Sequence, residues 1–207
     1  TRSPTVTGVQ TCALPIYTRL IRMFSFFIPE NENAEKYQDE VFKRMDAFVN
    51  YAADQDVILL HENEKDIYGD IAPRCRALMD RFYGENFKAV FDFANFVQVG
   101  QDTLEAYELL KPFVYYIHVK DALKSDRQVV PAGYGDGNVE TILRALFDSG
   151  FNGFLSLEPH LANFTGFSLL EQGDGHRKEP MSGEEAFTTA YFALKKILDQ
   201  LGVTVPA

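Results

Sequence analysis

The chain has 207 residues, of which 46% are hydrophobic, and its formal net charge is -10 at pH 7. This length supports a buried core, whereas the acidic balance and the lack of a basic run disfavour nucleic acid and anionic membranes as partners. No apolar stretch approaches the roughly 20 residues that cross a bilayer, and two cysteines make no disulfide framework, so the predicted location is the cytoplasm.

The first sixteen residues show neither a helical nor an alternating pattern of apolar positions. They resemble the conceptual translation of a sequencing adapter, so we predict that residues 1–16 are not native. A genuine but irregular N-terminus is the alternative. On the first interpretation, residues 17–207 are the C-terminal part of a single domain, and Cys75 is the one native cysteine of the chain.

Strand and helix patterns alternate from Leu20 onward. The predicted strands are short apolar runs rich in β-branched and aromatic residues, and the predicted helices carry one apolar stripe. In chain order we predict a strand over residues 20–27, a helix over 34–53, a strand over 57–62, a helix beginning near 73, a strand over 88–92, a helix over 102–110, a strand over 114–119, a helix ending at 150, a strand over 154–158 and a helix ending at 202.

The predicted strands are continuous apolar runs, which is typical of a parallel sheet covered on both faces. Strands that alternate with helices indicate βαβ units. Because a complete barrel of this kind has eight strands and about 250 residues, the favoured fold is an α/β (β/α)8 TIM barrel, incomplete, with about strands 4 to 8 present. A smaller doubly wound sheet is the alternative, although no Gly-x-Gly-x-x-Gly motif follows its first strand.

Four of the predicted strands end in residue types that bind metal ions, namely Glu62, Asp92, His118 and Glu158. In a barrel, the carboxyl ends of the strands form the rim where active sites lie. Three carboxylates and one imidazole suit a divalent ion such as Mn²⁺, Co²⁺, Mg²⁺ or Zn²⁺. Such an ion would polarise a sugar carbonyl and stabilise an enediolate, while carboxylates beside the substrate move a proton.

Five segments in this order resemble a known family: HENEKDIYG at 61–69, FDFANF at 91–96, IHVKD at 117–121, PAGYGDG at 131–137 and LSLEPH at 155–160. Together they resemble the sugar phosphate isomerase/epimerase family of xylose isomerase-like TIM barrels, whose relatives include ketose 3-epimerases, inosose dehydratase and endonuclease IV. The resemblance implies that Glu62, Asp92, His118 and Glu158 are the metal ligands, on strands 5 to 8. It also implies that Glu62 and Glu158 form the catalytic acid/base pair.

Four further residues near these strand ends are predicted to bind substrate: Lys120, His160, Asn95 and Gly135. Many ketose epimerases have a histidine at the position of Asn95, which leaves the identity of the sugar open. The backbone N–H groups around Gly135 would face a substrate or a phosphate, and a plain tight turn is the alternative. For Lys120 the alternative is an ion pair with Asp121.

The predicted function is therefore a divalent-metal-dependent isomerase or epimerase that acts on a sugar or sugar phosphate. Three alternatives remain: a sugar or inosose dehydratase, a non-catalytic sugar-binding barrel, and an abasic-site endonuclease, which the acidic charge disfavours. The predicted partner is a small carbohydrate, without nucleic acid or membrane, and a homo-oligomer stays open. On this interpretation strands 1 to 3 are missing, and in relatives these strands contribute substrate contacts and close the barrel. We therefore expect this fragment alone to be inactive even if the whole protein is an enzyme.

Overall fold

Five parallel strands form one sheet within residues 18–162 and 181–204, the part of the chain that the computed structural model describes. They are β1 (Leu20–Met23), β2 (Ile58–Glu62), β3 (Phe87–Asp92), β4 (Val114–Val119) and β7 (Phe154–Leu157). Their order in the sheet is β1-β2-β3-β4-β7. Between β4 and β7 the chain forms a separate antiparallel hairpin of β5 (Asp121–Ala122) and β6 (Val129–Val130).

Helices follow the strands of the sheet. They are α1 (Gln38–Ala53), which a 3-10 turn (Ala34–Tyr37) precedes, α2 (Ala72–Phe82), α3 (Phe93–Gln98), α4 (Thr103–Leu110), α5 (Val139–Asp148) and α6 (Gly183–Gln200). Among the described residues, none of these helices combines the length and the apolar character needed to cross a membrane.

Two hydrophobic clusters hold the helices to the sheet. One contains Met45 of α1, Leu78 of α2 and Phe87 of β3. The other contains Ile117 of β4 and Ile142 of α5, and it extends to α6. Because apolar side chains of both strands and helices are buried in these clusters, the sheet is held from its helical side. The predicted α/β fold, an incomplete (β/α)8 barrel, is confirmed.

The structure differs from the predicted elements mainly at the shortest ones. The first strand ends at Met23 rather than at residue 27, because the following segment turns away from the sheet. There, Phe27 forms an isolated antiparallel bridge with Ile67, and the N–H of Tyr68 donates to the C=O of Phe26 at 2.9 Å. Helix α3 and the β5–β6 hairpin were not predicted.

Residues 1–16, which are predicted to be non-native and include Cys12, lie outside the described residues. The division of the chain at residue 16 therefore stays a prediction. Cys75 is described, and it is a buried free cysteine on α2. Its thiol donates to the backbone C=O of Gly69 at 3.0 Å, so it is part of the packed interior.

Candidate metal centre and active site

The carboxyl ends of four neighbouring strands meet at one cluster of side chains. Glu62 and Asp92 are the last residues of β2 and β3. His118 lies next to the end of β4, and Glu158 directly follows β7. One ligand atom from each of these four residues lies within 4.8 Å of the others. The structure thus brings together the four residues predicted from the sequence to bind a metal ion.

His118 lies between the two glutamates of the cluster. Its Nδ1 atom is 2.8 Å from Oε1 of Glu62 and 3.1 Å from Oε1 of Glu158. Burial lowers the pKa of His118, but the hydrogen bond and the charge of Glu62 outweigh burial, so that the pKa is raised. Without a metal ion, a protonated imidazole therefore fits between these carboxylates.

The carboxylates of Glu62 and Asp92 are both buried but titrate differently. Burial raises the pKa of Glu62, yet the hydrogen bond with His118 and the nearby cations outweigh it and hold the pKa at about 2. Burial also raises the pKa of Asp92, and with the nearby carboxylates it outweighs the attraction of Lys120, so that the pKa lies at about 7. More positive charge at the cluster would therefore stabilise ionised Asp92.

The two oxygens of Asp92 have different surroundings. Oδ1 accepts a hydrogen bond from the backbone N–H of Asn95 at 2.8 Å, which caps the start of α3. Oδ2 faces the cluster, where it lies 2.9 Å from Nζ of Lys120 but receives no hydrogen bond with normal geometry from the described residues. A buried carboxylate oxygen that lacks such a hydrogen bond is suited to bind a cation. The donor set of the cluster also fits a divalent ion.

Two of the residues predicted to bind substrate lie beside Glu158. Nζ of Lys120 is 2.7 Å from Oε2 of Glu158, so the ammonium group belongs to the cluster rather than to Asp121. Burial lowers the pKa of Lys120, but the surrounding carboxylates outweigh it and raise the pKa. Nε2 of His160 lies 3.9 Å from Oε2 of Glu158, at the more exposed edge of the cluster.

Asn95, a third predicted substrate contact, is buried and holds its neighbours. Its side-chain Nδ2 donates to the backbone C=O of Asn63 at 2.8 Å and to Oε1 of Glu62 at 3.3 Å. The side chain of Asn63 in turn forms two hydrogen bonds with the backbone of Asp92, at 2.9 and 3.0 Å. The sequence analysis did not select Asn63, although its position next to Glu62 is a signal that could have identified it.

Gly135 lies in a loop that is organised by Asp121, at the start of β5. The buried carboxylate of Asp121 accepts hydrogen bonds from the backbone N–H groups of Gly133, Gly135 and Gly137 at 2.8 to 3.1 Å. A Cβ atom at Gly135 would lie 2.5 Å from Oδ1 of Asp121, which explains the glycine. These N–H groups donate to Asp121, as expected for the alternative of a tight turn, and the substrate contact at Gly135 stays a prediction.

Arg22 of β1 also reaches the cluster, although the sequence analysis did not select it. Its Nη1 atom donates to Oε2 of Glu62 at 2.8 Å and to Oε1 of Glu158 at 3.4 Å. The guanidinium lies over the ring of Phe24, 4.8 Å from the ring centroid. A lone arginine within the apolar run of β1 was the signal that could have identified it.

Comparison with known proteins identifies the family. The family described as "Xylose isomerase-like TIM barrel" matches residues 16–181. The chain belongs to this xylose isomerase-like TIM barrel family. The resemblance inferred from the five sequence segments is thereby confirmed. A search of the curated proteins gives no significant match by sequence.

Solved structures share the fold with this family member. The IOLI protein with a zinc atom has a TM-score of 0.71 at 15% identity, and the match covers 94% of this chain and 68% of that protein. A D-tagatose 3-epimerase-like protein has a TM-score of 0.69 at 17% identity, and the match covers 92% of this chain and 66% of that protein. The probable 3-DHS dehydratase AsbF from Bacillus anthracis has a TM-score of 0.63 at 20% identity, and the match covers 73% of this chain and 61% of that protein. The chain thus spans less than two thirds of the length of the last two proteins.

Proposed function

We propose that the protein is a divalent-metal-dependent isomerase or epimerase that acts on a sugar or sugar phosphate. The observation that carries this proposal is the convergence of three carboxylates and one histidine within 4.8 Å at the carboxyl rim of a barrel sheet. Solved structures of similar fold that are described as a D-tagatose 3-epimerase-like protein and a D-psicose 3-epimerase support a carbohydrate substrate.

The residues that would hold the ion are Glu62, Asp92, His118 and Glu158. When bound, a divalent ion such as Mn²⁺, Co²⁺, Mg²⁺ or Zn²⁺ would polarise the substrate carbonyl. Within the chain, Asn95 orients the carboxylate of Glu62 by donating a hydrogen bond to Oε1. Lys120 holds Oε2 of Glu158 in the same way. The carboxylates are therefore positioned before a substrate arrives.

Glu62 and Glu158 would carry the proton transfer. One oxygen of each lies within 4.8 Å of an oxygen of the other, so one substrate carbon would have both carboxylates as neighbours. The pKa of each glutamate is held below its usual value, so both are ionised at neutral pH and can accept a proton. One carboxylate would remove the proton beside the carbonyl, and a carboxylate would return it to the enediolate.

Glu158→Gln tests this assignment, because glutamine keeps the size of the side chain but cannot accept the proton. Removal of a general base typically costs about 10²- to 10⁴-fold in rate. We expect a loss in this range in the exchange of a ketose proton with solvent deuterium, measured by NMR, with an unchanged circular dichroism spectrum. The control is Glu140→Gln, which changes a carboxylate on α5 that pairs with Arg144. A Glu158→Gln protein with the wild-type rate would remove Glu158 from the mechanism.

A metal-dependent dehydratase is the second candidate, since a probable 3-DHS dehydratase has the same fold. A carboxylate would remove the proton from carbon, and the protonated carboxyl would pass this proton to the hydroxyl on the next carbon, which would then leave as water. Product analysis by NMR separates the two reactions. Deuterium incorporation at carbon without loss of water favours the isomerase or epimerase, whereas an unsaturated product or its tautomer favours the dehydratase.

A further inference from the structure

The side chains of the carboxylate cluster differ widely in exposure within the part of the chain that the structure describes. The side chains of Glu62 and Asp92 are 0% exposed, and that of Lys120 is 3% exposed. By contrast, the side chain of Glu158 is 18% exposed and that of Arg22 is 46% exposed. Among these four side chains, Arg22 and Glu158 are therefore the ones that a molecule arriving from solvent can contact first.

The guanidinium of Arg22 lies between the two glutamates of the proposed proton transfer. Its Nη1 atom is 2.8 Å from Oε2 of Glu62 and 3.4 Å from Oε1 of Glu158. In the proposed reaction, the substrate carbon that exchanges protons with both carboxylates would lie beside both. Since Arg22 contacts both carboxylates, the oxygen on the neighbouring carbon would then lie within hydrogen-bond reach of the guanidinium.

The position of the Arg22 side chain also suits a contact with a substrate oxygen. It is paired with the sheet, in register with Leu60 of β2, and its guanidinium lies over the ring of Phe24. Among the described residues, it donates hydrogen bonds through Nη1, which leaves Nη2 and Nε as donors for an acceptor on a ligand. Because the guanidinium keeps its charge at any working pH, it is a donor and not a proton carrier.

We propose that Arg22 is a catalytic residue that donates hydrogen bonds to the substrate oxygen on which negative charge develops. The inference rests on the proposed proton transfer at Glu62 and Glu158. When a carboxylate takes the proton from carbon, the electron pair of the C–H bond forms the new C=C bond, and the carbonyl oxygen becomes negative. Arg22 stabilises this oxygen electrostatically and keeps all of its own protons.

The kinetic test compares Arg22→Gln and Arg22→Lys in protein saturated with Mn²⁺. Loss of one donor to a developing oxyanion costs about 10²- to 10³-fold in kcat. We expect a loss of this size for Arg22→Gln with a small change in KM, and a partial return of kcat for Arg22→Lys. Arg19→Gln is the control, since Arg19 lies near the same strand but pairs with Asp56. If Arg22→Gln kept the wild-type kcat, or changed KM alone, the proposal would be overturned.

A binding measurement separates this proposal from the proposed reaction. A four-carbon sugar hydroxamate mimics an enediolate, and its affinity for the Mn²⁺-saturated protein can be measured by calorimetry without turnover. Since hydrogen bonds to charged groups are among the strong ones, Arg22→Gln should bind it about 10- to 100-fold more weakly. Equal affinity would overturn the role of Arg22. Weaker binding in a protein that turns over no ketose would support the contact and contradict the proposed reaction.

Discussion

Asn63 shows how an uncharged side chain can fix the position of a proposed metal ligand. Its side chain accepts a hydrogen bond from the N–H of Asp92 and donates one to the C=O of Asp92, which ties the ends of β2 and β3 together. Its own C=O accepts from Asn95, which also donates to Glu62. Two of the proposed ligands therefore depend on one buried amide.

Asn63→Ala should weaken metal binding without removing a ligand. Residues that orient metal ligands typically contribute about 10- to 100-fold in metal affinity, and we expect a loss in this range for Mn²⁺, measured by calorimetry. The control is Asn86→Ala. Asn86 joins the same two strands near their opposite ends by donating to the C=O of Val57 at 2.8 Å. The assignment would be contradicted if both variants bound Mn²⁺ as tightly as the wild type.

Gly69 packs directly against the imidazole of His61 on the helical side of β2. A Cβ atom at Gly69 would lie 2.6 Å from Cε1 of His61 and 3.0 Å from Cδ1 of Leu78. His61 and Leu78 are both buried, so neither side chain can move into solvent to relieve the overlap.

Gly69→Ala should therefore lower the free energy of unfolding by about 2 kcal/mol, as overpacked cores do. The measurement is urea denaturation followed by circular dichroism. Gly183→Ala is the matched control, because a Cβ atom there would meet no atom within 4 Å. Equal stability of the two variants would show that the contact with His61 relaxes without cost.

At the scale of elements, the loop after the β5–β6 hairpin depends on a single carboxylate. Asp121 accepts backbone hydrogen bonds from Ala122, Gly133, Gly135 and Gly137. Since Asp121 directly follows Lys120, the same turn fixes the strand end that presents the ammonium group to Glu158. The loop thus supports the candidate site through backbone geometry.

Asp121→Asn replaces one accepting oxygen with an N–H₂ group that faces backbone donors. Hydrogen bonds to charged groups contribute about 1.5 to 3 kcal/mol each, and buried unpaired donors are costly. We therefore expect a loss of about 3 kcal/mol in the free energy of unfolding, measured in urea. The exposed Asp126, which accepts one hydrogen bond from Gln128, provides the control variant Asp126→Asn, expected within about 0.5 kcal/mol of wild type. Similar losses in the two variants would contradict the special role of Asp121.

At the scale of the whole molecule, the arrangement of the sheet could be predicted because its strands are continuous apolar runs. The shortest helix and strands could not be predicted from the sequence. Helix α3 has six residues and the hairpin strands have two each, too few for a hydrophobic period to appear. The early end of β1 depends on the antiparallel bridge between Phe27 and Ile67, a tertiary contact that no local pattern indicates.

The candidate site could be predicted in part for a similar reason. Glu62, Asp92 and Glu158 are acidic residues at the ends of buried strands, and parallel strands bring such ends to one rim. Arg22 stands out in the sequence as a lone arginine in an apolar run, but its contacts with the site depend on how β1 and β7 flank the middle of the sheet. The loop around Gly135 suggested free N–H groups because its acceptor, Asp121, lies 14 residues away in the sequence.

The binding of a single Mn²⁺ ion per chain is the most direct test of the central claim, that four strand ends form one metal centre. We expect calorimetry to give a stoichiometry of one for the wild type and no measurable binding for Asp92→Asn, whose carboxylate is buried in the cluster. At an Mn²⁺ concentration of about 100 times Kd, the ion should add about 2.7 kcal/mol to the free energy of unfolding. A wild-type protein that binds no divalent ion, or an Asp92→Asn protein that binds it equally well, would contradict the account.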